Sequence, residues 1–492
     1  MHKLVLSTLT VLMLAVATSA QQPDAISAAA ATLGTDTIKS LQFTGSGASF
    51  NVGQPYAAGG AWPRLNVESY TAVVDYEMPR LRLEIVRTVP NPLPPGVAPF
   101  TGQQRQVLAL SGNNGWNVPQ PAAGAPPPAT PPAPPPVAEA VVVERKLFVW
   151  STPHGFVKAA AANKATSRRS GGSTEVTFTQ DGKYRVVGRL NAQNQVERVQ
   201  TWIDNPVLGD MLVETTYSGY RDFGGVSFPA RIQQSQGGHP TLELTISAVV
   251  KNPTLDLAVP ESVNKPVAPI QVASEEVAPG VHYLTGGSHH SVAIGMRDHV
   301  VVVEGPQSEA RSLAVIAKTK ELFPAKPIRY VVNTHVHFDH SGGLRPFVDE
   351  GATVVTHRSN QSFFEKAWAA PRTINPDRLA QSKKRARFQA VADRGQLTDG
   401  SRTIDLHIVP SHHNSGILAV YLPAEKIVMQ ADLFAPLPAN APPPATPNPF
   451  SIEFADQVKK LQLDVAKILA LHGPRVATME DLNKAIGRSG SN

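Results

Sequence analysis

Thr334-His335-Val336-His337-Phe338-Asp339-His340 is the stretch on which the reading of this chain turns. Just upstream, Ile328-Arg329-Tyr330-Val331-Val332-Asn333 is β-branched and aromatic and reads as a short buried strand. Just downstream, Ser341-Gly342-Gly343 interrupts regular structure before a helical run from Leu344. Three imidazoles and a carboxylate therefore crowd onto a loop at a strand end. Side chains two apart in extended backbone point the same way, so His335 and His337 can grip one cation together. Asp339 and His340 follow after the chain turns and can face a second cation beside the first. Neutral imidazole and carboxylate are the donors that Zn2+ and similar ions prefer. A loop that only had to satisfy its own backbone would not need four of them, so the stretch reads as a metal site.

Working outward, the texture from about Ser274 to the end of the chain is alternating. Strands are expected at Val300–Glu304, Ile328–Asn333, Ala352–Thr356, Arg402–Val409, Ile417–Leu422 and Lys426–Gln430, and helices at Gln307–Leu322 and Gly343–Glu350. A charged helical insertion spans Ser359 to Arg387, and its Arg372, Arg378, Lys383, Lys384 and Arg385 could form a cationic lid or simply a solvated helix face. Phe454, Val458, Leu461, Val465 and Ile468 fall at helical spacing and predict one long amphipathic helix over Ile452–Leu471. Thr478-Met479-Glu480-Asp481 reads as a capping box opening a last helix. This is a layered α/β domain over residues 274–492. Three further candidate ligands stand at element ends: His413 in Pro410-Ser411-His412-His413-Asn414-Ser415-Gly416, Asp432 after Ile427-Val428-Met429-Gln430-Ala431, and His472 in Leu471-His472-Gly473-Pro474.

In that order the motifs resemble the metallo-β-lactamase superfamily of metal-dependent hydrolases, from about Glu276 to the end of the chain. The matching motifs are Glu304-Gly305 after a strand, His335-Val-His337-Phe-Asp339-His340, His413-Asn-Ser-Gly416, Ala431-Asp432 and His472-Gly473. The first of these is usually Asp in the family and is Glu304 here. The resemblance implies an αβ/βα four-layer sandwich with two divalent cations at one edge, Zn2+ first and Mn2+ or Fe as alternatives. It implies His335, His337 and His413 on one cation, Asp339, His340 and His472 on the other, and Asp432 bridging. His412 is the alternative to His413, and otherwise lines the pocket. The lactamases of the family's main clinical class have Cys where this chain has Asp432, so the resemblance leans toward the thioesterase, lactonase and phosphodiesterase branches.

Two cations sharing a water can lower its pKa from about 15.7 toward about 7. The expected activity is hydrolysis of a small ester, thioester, lactone, amide or phosphodiester bond by a metal-bridging hydroxide, with Asp339 and Asp432 as catalytic carboxylates. His289 and His290, in Gly286-Gly287-Ser288-His289-His290, are candidate substrate contacts together with His412. Two other readings stay open at this stage. One is an iron-dependent sulfur dioxygenase or other redox member of the same fold. The other is a non-catalytic carrier that binds ligand through its N-terminal sheet.

The 492 residues suit two or three domains, and 42% apolar residues suffice for real cores. Residues 1–20 read as a signal peptide: a basic start at His2-Lys3, an apolar run from Leu4 to Val16, and Thr18-Ser19-Ala20 at the cleavage end. A periplasmic or secreted protein without a membrane span is expected. The chain has no cysteine, so it can neither form disulfides nor place a thiolate on a metal. Its net charge of +6 is mild for this length and no dense basic tract stands out, so the expected partner is a small molecule and not nucleic acid. Residues 21–252 read as an antiparallel β-rich domain. Leu81, Leu83 and Ile85 alternate with Arg80, Arg82 and Glu84, and Asp181-Gly182 is a hairpin turn between Thr174–Gln180 and Lys183–Leu190. The layout, a curved sheet with one helix, loosely resembles the half-barrels of bacterial lipoprotein-carrier domains. Pro119–Pro136 is a Pro/Ala insertion of extended character, and 253–273 is the linker to the second domain.

Overall fold

The computed structural model describes residues 24–121, 132–437 and 441–488. The expected signal peptide and most of the Pro/Ala insertion lie outside the described residues. No helix of the described residues is long and apolar enough to cross a membrane.

The N-terminal part is one twelve-stranded sheet in which every neighbour is antiparallel. Its first strand, Ser40–Phe50, pairs with its last, His239–Lys251, so the meander closes back on its own beginning at the middle of the sheet. The Asp181-Gly182 hairpin forms with both turn residues at positive φ, 52° and 67°, as a primed turn requires. The reading of a single helix is corrected by the structure. The alanine-rich helix Ala25–Leu33 is joined by Glu139–Ser151 and Pro153–Ala162, directly after the Pro/Ala insertion. Neither shows a clear apolar stripe in sequence, because both are sandwiched where several faces are covered. Phe156, Val157 and Leu147 pack with Phe43, Tyr70, Phe178 and Phe228 of the sheet. These helices pack on one face of the sheet. The cavity left among Phe43, Tyr70, Phe148 and Phe228 is about 20 Å3, room for about one water and not for a lipid chain.

The C-terminal part carries two further sheets. The seven-stranded sheet runs Ala273–Ala278, Val281–Thr285, Ser291–Gly295, Val300–Val303, Ile328–Val332, Thr353–His357, Arg387–Val391, antiparallel through the fourth strand and parallel beyond it. The six-stranded sheet runs Arg394–Thr398, Thr403–Ile408, Leu418–Leu422, Ile427–Gln430, Lys467–Ala470, Val476–Ala477. Val301, Val303 and Val332 of the first sheet meet Leu406, Leu418, Val420 and Met429 of the second in one core. Outside the first sheet, Val302, Val331 and Val354 pack on Val315, Phe347 and Phe364 of the helices Glu309–Leu322, Leu344–Asp349 and Arg358–Trp368. Outside the second, Val428 and Ile468 pack on Phe454 and Val458 of Pro449–Lys460 and on Leu482 of the last helix, Met479–Ala485, which opens on the expected capping box. Strands covered on both faces need unbroken apolar runs, which is why Val300–Val303 is valine throughout.

The long helix expected over Ile452–Leu471 is also corrected. The helix ends at Lys460, Gln462 turns back at φ 53°, and Lys467–Ala470 is a strand parallel to Ile427–Gln430. Ile468-Leu469-Ala470-Leu471 is a four-residue apolar run buried on both sides, and burial of both faces outweighs the helical spacing of Val465 and Ile468. His472 thus ends a strand.

The two parts are clamped together. Arg372, read as part of a cationic lid or of a solvated helix face, is neither: it is buried and donates to the carbonyls of Asn205, Pro206 and Val207 in an N-terminal hairpin turn. Asp210 of the same hairpin accepts from Thr373 N and Oγ1 and from Ile374 N.

His154, fully buried in the N-terminal part, bonds through Nε2 to the Leu33 carbonyl at 3.1 Å, and burial pulls its pKa down to about 4. The unfolded chain binds this proton near pH 6.5 and the folded one only near 4, so the contribution is intact above 6.5 and lost as pH falls toward 4. Denaturant unfolding should show on the order of 3 kcal/mol of acid-linked loss over that window from this residue. His154→Phe should flatten the pH slope by about that much.

Candidate metal centre

The site forms where both sheets of the C-terminal part end on the same side. Val300–Val303 delivers Glu304, Ile328–Val332 delivers the Thr334–His340 loop, Ile427–Gln430 delivers Asp432, and Lys467–Ala470 delivers His472. Asp432 occupies the middle. Its Oδ2 lies 3.1 Å from His413 Nε2, 3.0 Å from His340 Nε2 and 3.5 Å from His335 Nε2, and its Oδ1 lies 2.9 Å from His472 Nδ1. To reach that point Asp432 takes φ 63°, a left-handed conformation that costs a non-glycine residue on the order of 1 kcal/mol.

Donor atoms gather into two groups around this carboxylate. His335, His337, His413 and Asp432 form one, and Asp339, His340, His472 and His289 form the other, each with its donors within 4.8 Å of one another. The seven residues expected as ligands are therefore brought together. Of the three expected substrate contacts, His289 joins the second group. His290 turns the other way, donates from Nε2 to the Gly473 carbonyl at 2.6 Å and packs against Tyr283. His412 is exposed and pairs with Glu453, away from the cluster.

His335, His337 and His340 are each aimed by a partner on the far side of the ring. Glu304, fully buried, accepts from Thr334 Oγ1 at 2.5 Å and from His340 Nδ1 at 3.1 Å, and this leaves His340 Nε2 facing Asp432. The extra methylene relative to the family's usual Asp is accommodated at φ 75°. Thr334 Oγ1 also lies 3.1 Å from His335 Nδ1. His337 donates from Nε2 to the Pro55 carbonyl, 3.1 Å away, so its Nδ1 carries the lone pair. Pro55 belongs to the N-terminal part. Its carbonyl also accepts from Asn414 Nδ2, and the neighbouring Gln54 donates from Nε2 to Asp339 Oδ1 at 2.8 Å. The loop is seated by Gly53, whose carbonyl accepts from Phe338 N and whose Cα faces the Phe338 ring so closely that a Cβ would come within 2.4 Å. Reasoning from sequence missed Gln54 and Pro55, since nothing in Asn51–Tyr56 marks it as part of a distant site.

Electrostatics favour the same conclusion. Burial pulls the His335 pKa down to about 4 and His337 lower still, helped by neighbouring imidazoles, so both rings are neutral and offer lone pairs at neutral pH. Burial also works against charge on His340, but Asp432 and Asp339 outweigh it and raise its pKa well above the ordinary range. Burial would raise both carboxyls, yet the His340 cation foremost, with the surrounding hydrogen bonds, holds them well below it. Two carboxylates, the part-exposed Asp339 and the more enclosed Asp432, thus favour the protonated form of His340. Nitrogens His335 Nε2, His337 Nδ1, His340 Nε2 and His413 Nδ1 are buried without a hydrogen-bond partner. An unsatisfied buried polar atom costs roughly 1–3 kcal/mol, and His335 Nε2, His337 Nδ1 and His340 Nε2, grouped with Asp432 and with His413 Nε2, are what a pair of divalent cations would satisfy. The residues fit such a pair.

Both candidate ligand groups lie at one edge of the paired sheets. Residues 284–472 match the family model described as the metallo-beta-lactamase superfamily, so the C-terminal half carries a domain of that superfamily. No curated protein matches the chain. Among solved structures the chain is similar to a metallo-beta-lactamase from Pontibacter korlensis, with 15% identity over 44% of this chain and 98% of that one and a TM-score of 0.34. It is similar to the DIM-1 metallo-beta-lactamase, with 14% identity over 44% and 96% and a TM-score of 0.34. It is also similar to the rubredoxin oxygen:oxidoreductase of Desulfovibrio gigas, with 15% identity over 44% and 61% and a TM-score of 0.34.

Removing a group that aims a ligand typically costs 10- to 100-fold in metal affinity. Gln54→Ala should therefore weaken one of two bound cations by about 10-fold without changing the other, as read by competition with a chromophoric chelator.

Proposed function

We propose that this chain is an exported metal-dependent hydrolase that cleaves a small ester, thioester, lactone, amide or phosphodiester bond. The observation that carries this reading is the convergence on Asp432 of imidazoles from three separate motifs, with His335 Nε2, His337 Nδ1 and His340 Nε2 buried without a hydrogen-bond partner. The pairing of two sheets with helices outside each supports an αβ/βα sandwich with its working edge at the strand ends. His335 Nε2, His337 Nδ1 and His413 would hold one cation, Asp339, His340 Nε2 and His472 the second, and Asp432 would lie between them. Zn2+ suits this N/O donor set best, with Mn2+ or Fe as alternatives. Two such ions would supply Lewis-acid polarisation and a water acidic enough to react at neutral pH.

The protein's own groups do the rest. Asp432, with its two oxygens directed to different imidazoles, fixes the spacing of the two positions. Asp339, held at Oδ1 by Gln54 and with Oδ2 3.1 Å from His289 Nε2, would orient the attacking water and take up its proton. Glu304 and the Pro55 carbonyl hold His340 and His337 in the tautomers that face inward. No protein nucleophile is required, in keeping with a chain without cysteine. Beside His472 a cleft of about 590 Å3, bordered by Gly286, Ser288 and Arg475, offers space for a small substrate. Export rests on the N-terminal signal-like stretch of the sequence alone.

Purified protein stripped with a chelator should lose hydrolysis of chromogenic lactone, thioester, phosphodiester and β-lactam substrates, and regain it with Zn2+ or Mn2+. Asp432→Ala should lower kcat by at least about 100-fold. Full turnover by metal-free protein would overturn the reading, as would oxygen-dependent turnover by an iron-loaded form with no hydrolysis.

A further inference from the structure

We propose that His289 is a fourth protein donor at the second cation position, beside Asp339, His340 and His472. The assignment rests on the metal-centre reading above and goes beyond the ligand motifs, none of which includes this residue. His289 lies ahead of every one of those motifs, yet the fold brings it to the last. His289 and His472 form an isolated antiparallel β-bridge, and His290 N donates to the Leu471 carbonyl at 2.7 Å. That bridge stacks the two imidazoles, with ring centroids 4.0 Å apart. His340 presents its ring to His289 at 4.9 Å, and His289 Nε2 lies 3.1 Å from Asp339 Oδ2.

The position is built and not incidental. His289 is 6% exposed. The buried Arg311 donates to its carbonyl at 3.2 Å and to those of Gln271 and Thr285, which fixes the backbone on this side of the site. On the far side of the ring, Ser288 Oγ lies 2.9 Å from Nδ1 and is itself held by Gln307 Nε2 at 3.2 Å. Gln307 Nε2 also lies 3.3 Å from Nδ1; in the tautomer where the Ser288 hydroxyl accepts from Nδ1–H, the Nε2 lone pair points toward Asp339, His340 and His472, the arrangement by which outer partners aim a metal-binding histidine. Adjacent residues on extended backbone face opposite ways, and this separates the pair: His290 is spent on Gly473 and His289 on the cluster. A residue kept for substrate would need an open face. His289 instead has its ring covered by His472 and its Nε2 directed into the donor group.

With His289 counted, the second position has four protein donors before Asp432 is considered, against three imidazoles at the first. A fully protein-ligated position is a closed one, whereas a reacting position keeps room for water and substrate. The cleft that borders His472 then lies against the more fully ligated of the two positions.

The test is a titration of metal-free, full-length protein with Co2+, followed by visible absorption and by metal content after desalting. Wild type should take up two equivalents. His289→Ala and His289→Asn should each keep one equivalent at wild-type affinity and bind the other at least about 10-fold more weakly. Two equivalents at unchanged affinity in both variants, with only KM raised, would overturn the assignment in favour of a substrate contact. A measurement on wild type guards against misfolded variants. In the Co2+-loaded protein, hyperfine-shifted ring signals should arise from six imidazoles, those of His289, His335, His337, His340, His413 and His472, and five would overturn the proposal. A wild type that takes up no metal would instead overturn the metal-centre reading itself.

Discussion

A carboxylate buried among imidazoles is the constraint from which the C-terminal structure follows. An ion moved from water into the protein interior loses several kcal/mol of solvation unless opposite charge and hydrogen bonds replace it. Asp432 has no arginine or lysine among its close partners; its oxygens meet His335, His340, His413 and His472. In the absence of bound cations the balance is kept by a proton held on His340. That proton is weak compensation for two carboxylates, Asp339 and Asp432, so the site is organised to exchange it for a stronger positive charge. Metal uptake should release it, which ties metal affinity to pH.

The orientation of the site comes from atoms that never face its centre. A histidine offers a lone pair on one nitrogen only when its other nitrogen is given a proton acceptor. Glu304 does this for His340 and the Pro55 carbonyl does it for His337. Glu304 has a second duty: through Thr334 Oγ1 it fixes the residue that precedes the motif, so one buried carboxylate sets both the start and the end of the His335–His340 loop. The strained backbone at Glu304 and Asp432, both at positive φ, lies at the ends of strands covered on two faces, where packing can hold such a conformation in place.

How far the sequence could be read follows from the same physics. The Thr334–His340 loop was legible because its information is local: alternation on extended backbone, then a turn. His413, Asp432 and His472 could be placed only through the order of motifs that the family resemblance supplies, since each alone also fits a turn, a cap or a helix end. The error over Ile452–Leu471 arose where helical spacing and a doubly buried strand run together, since Ile468 and Leu469 satisfy both patterns. The helices after the Pro/Ala insertion were missed because helices covered on several sides lose the stripe that announces them. His289 was singled out, but its place beside His472 depends on a β-bridge between residues far apart in sequence, which no local pattern encodes. The Gln54 and Pro55 contacts were invisible for a stronger reason: their meaning lies entirely in how two domains dock.

That docking changes what the N-terminal part is for. That part has its own apolar core, in which the cavity among Phe43, Tyr70, Phe148 and Phe228 is small. Its contribution lies at its edge. The backbone of Asn51–Tyr56 threads against Phe338, Asn414 and Ser415, and it supplies hydrogen-bond partners to residues in both donor groups, His337 in one and Asp339 in the other. Arg372 and Asp210 clamp the same two domains at a separate point, so the loop is held against the site from two directions. An interface of this kind makes separation of the domains costly in a specific way: His337 would lose the acceptor that fixes its tautomer, and Asp339 the donor that holds one of its oxygens. The metal centre is thus a property of the paired domains and not of the C-terminal fold alone.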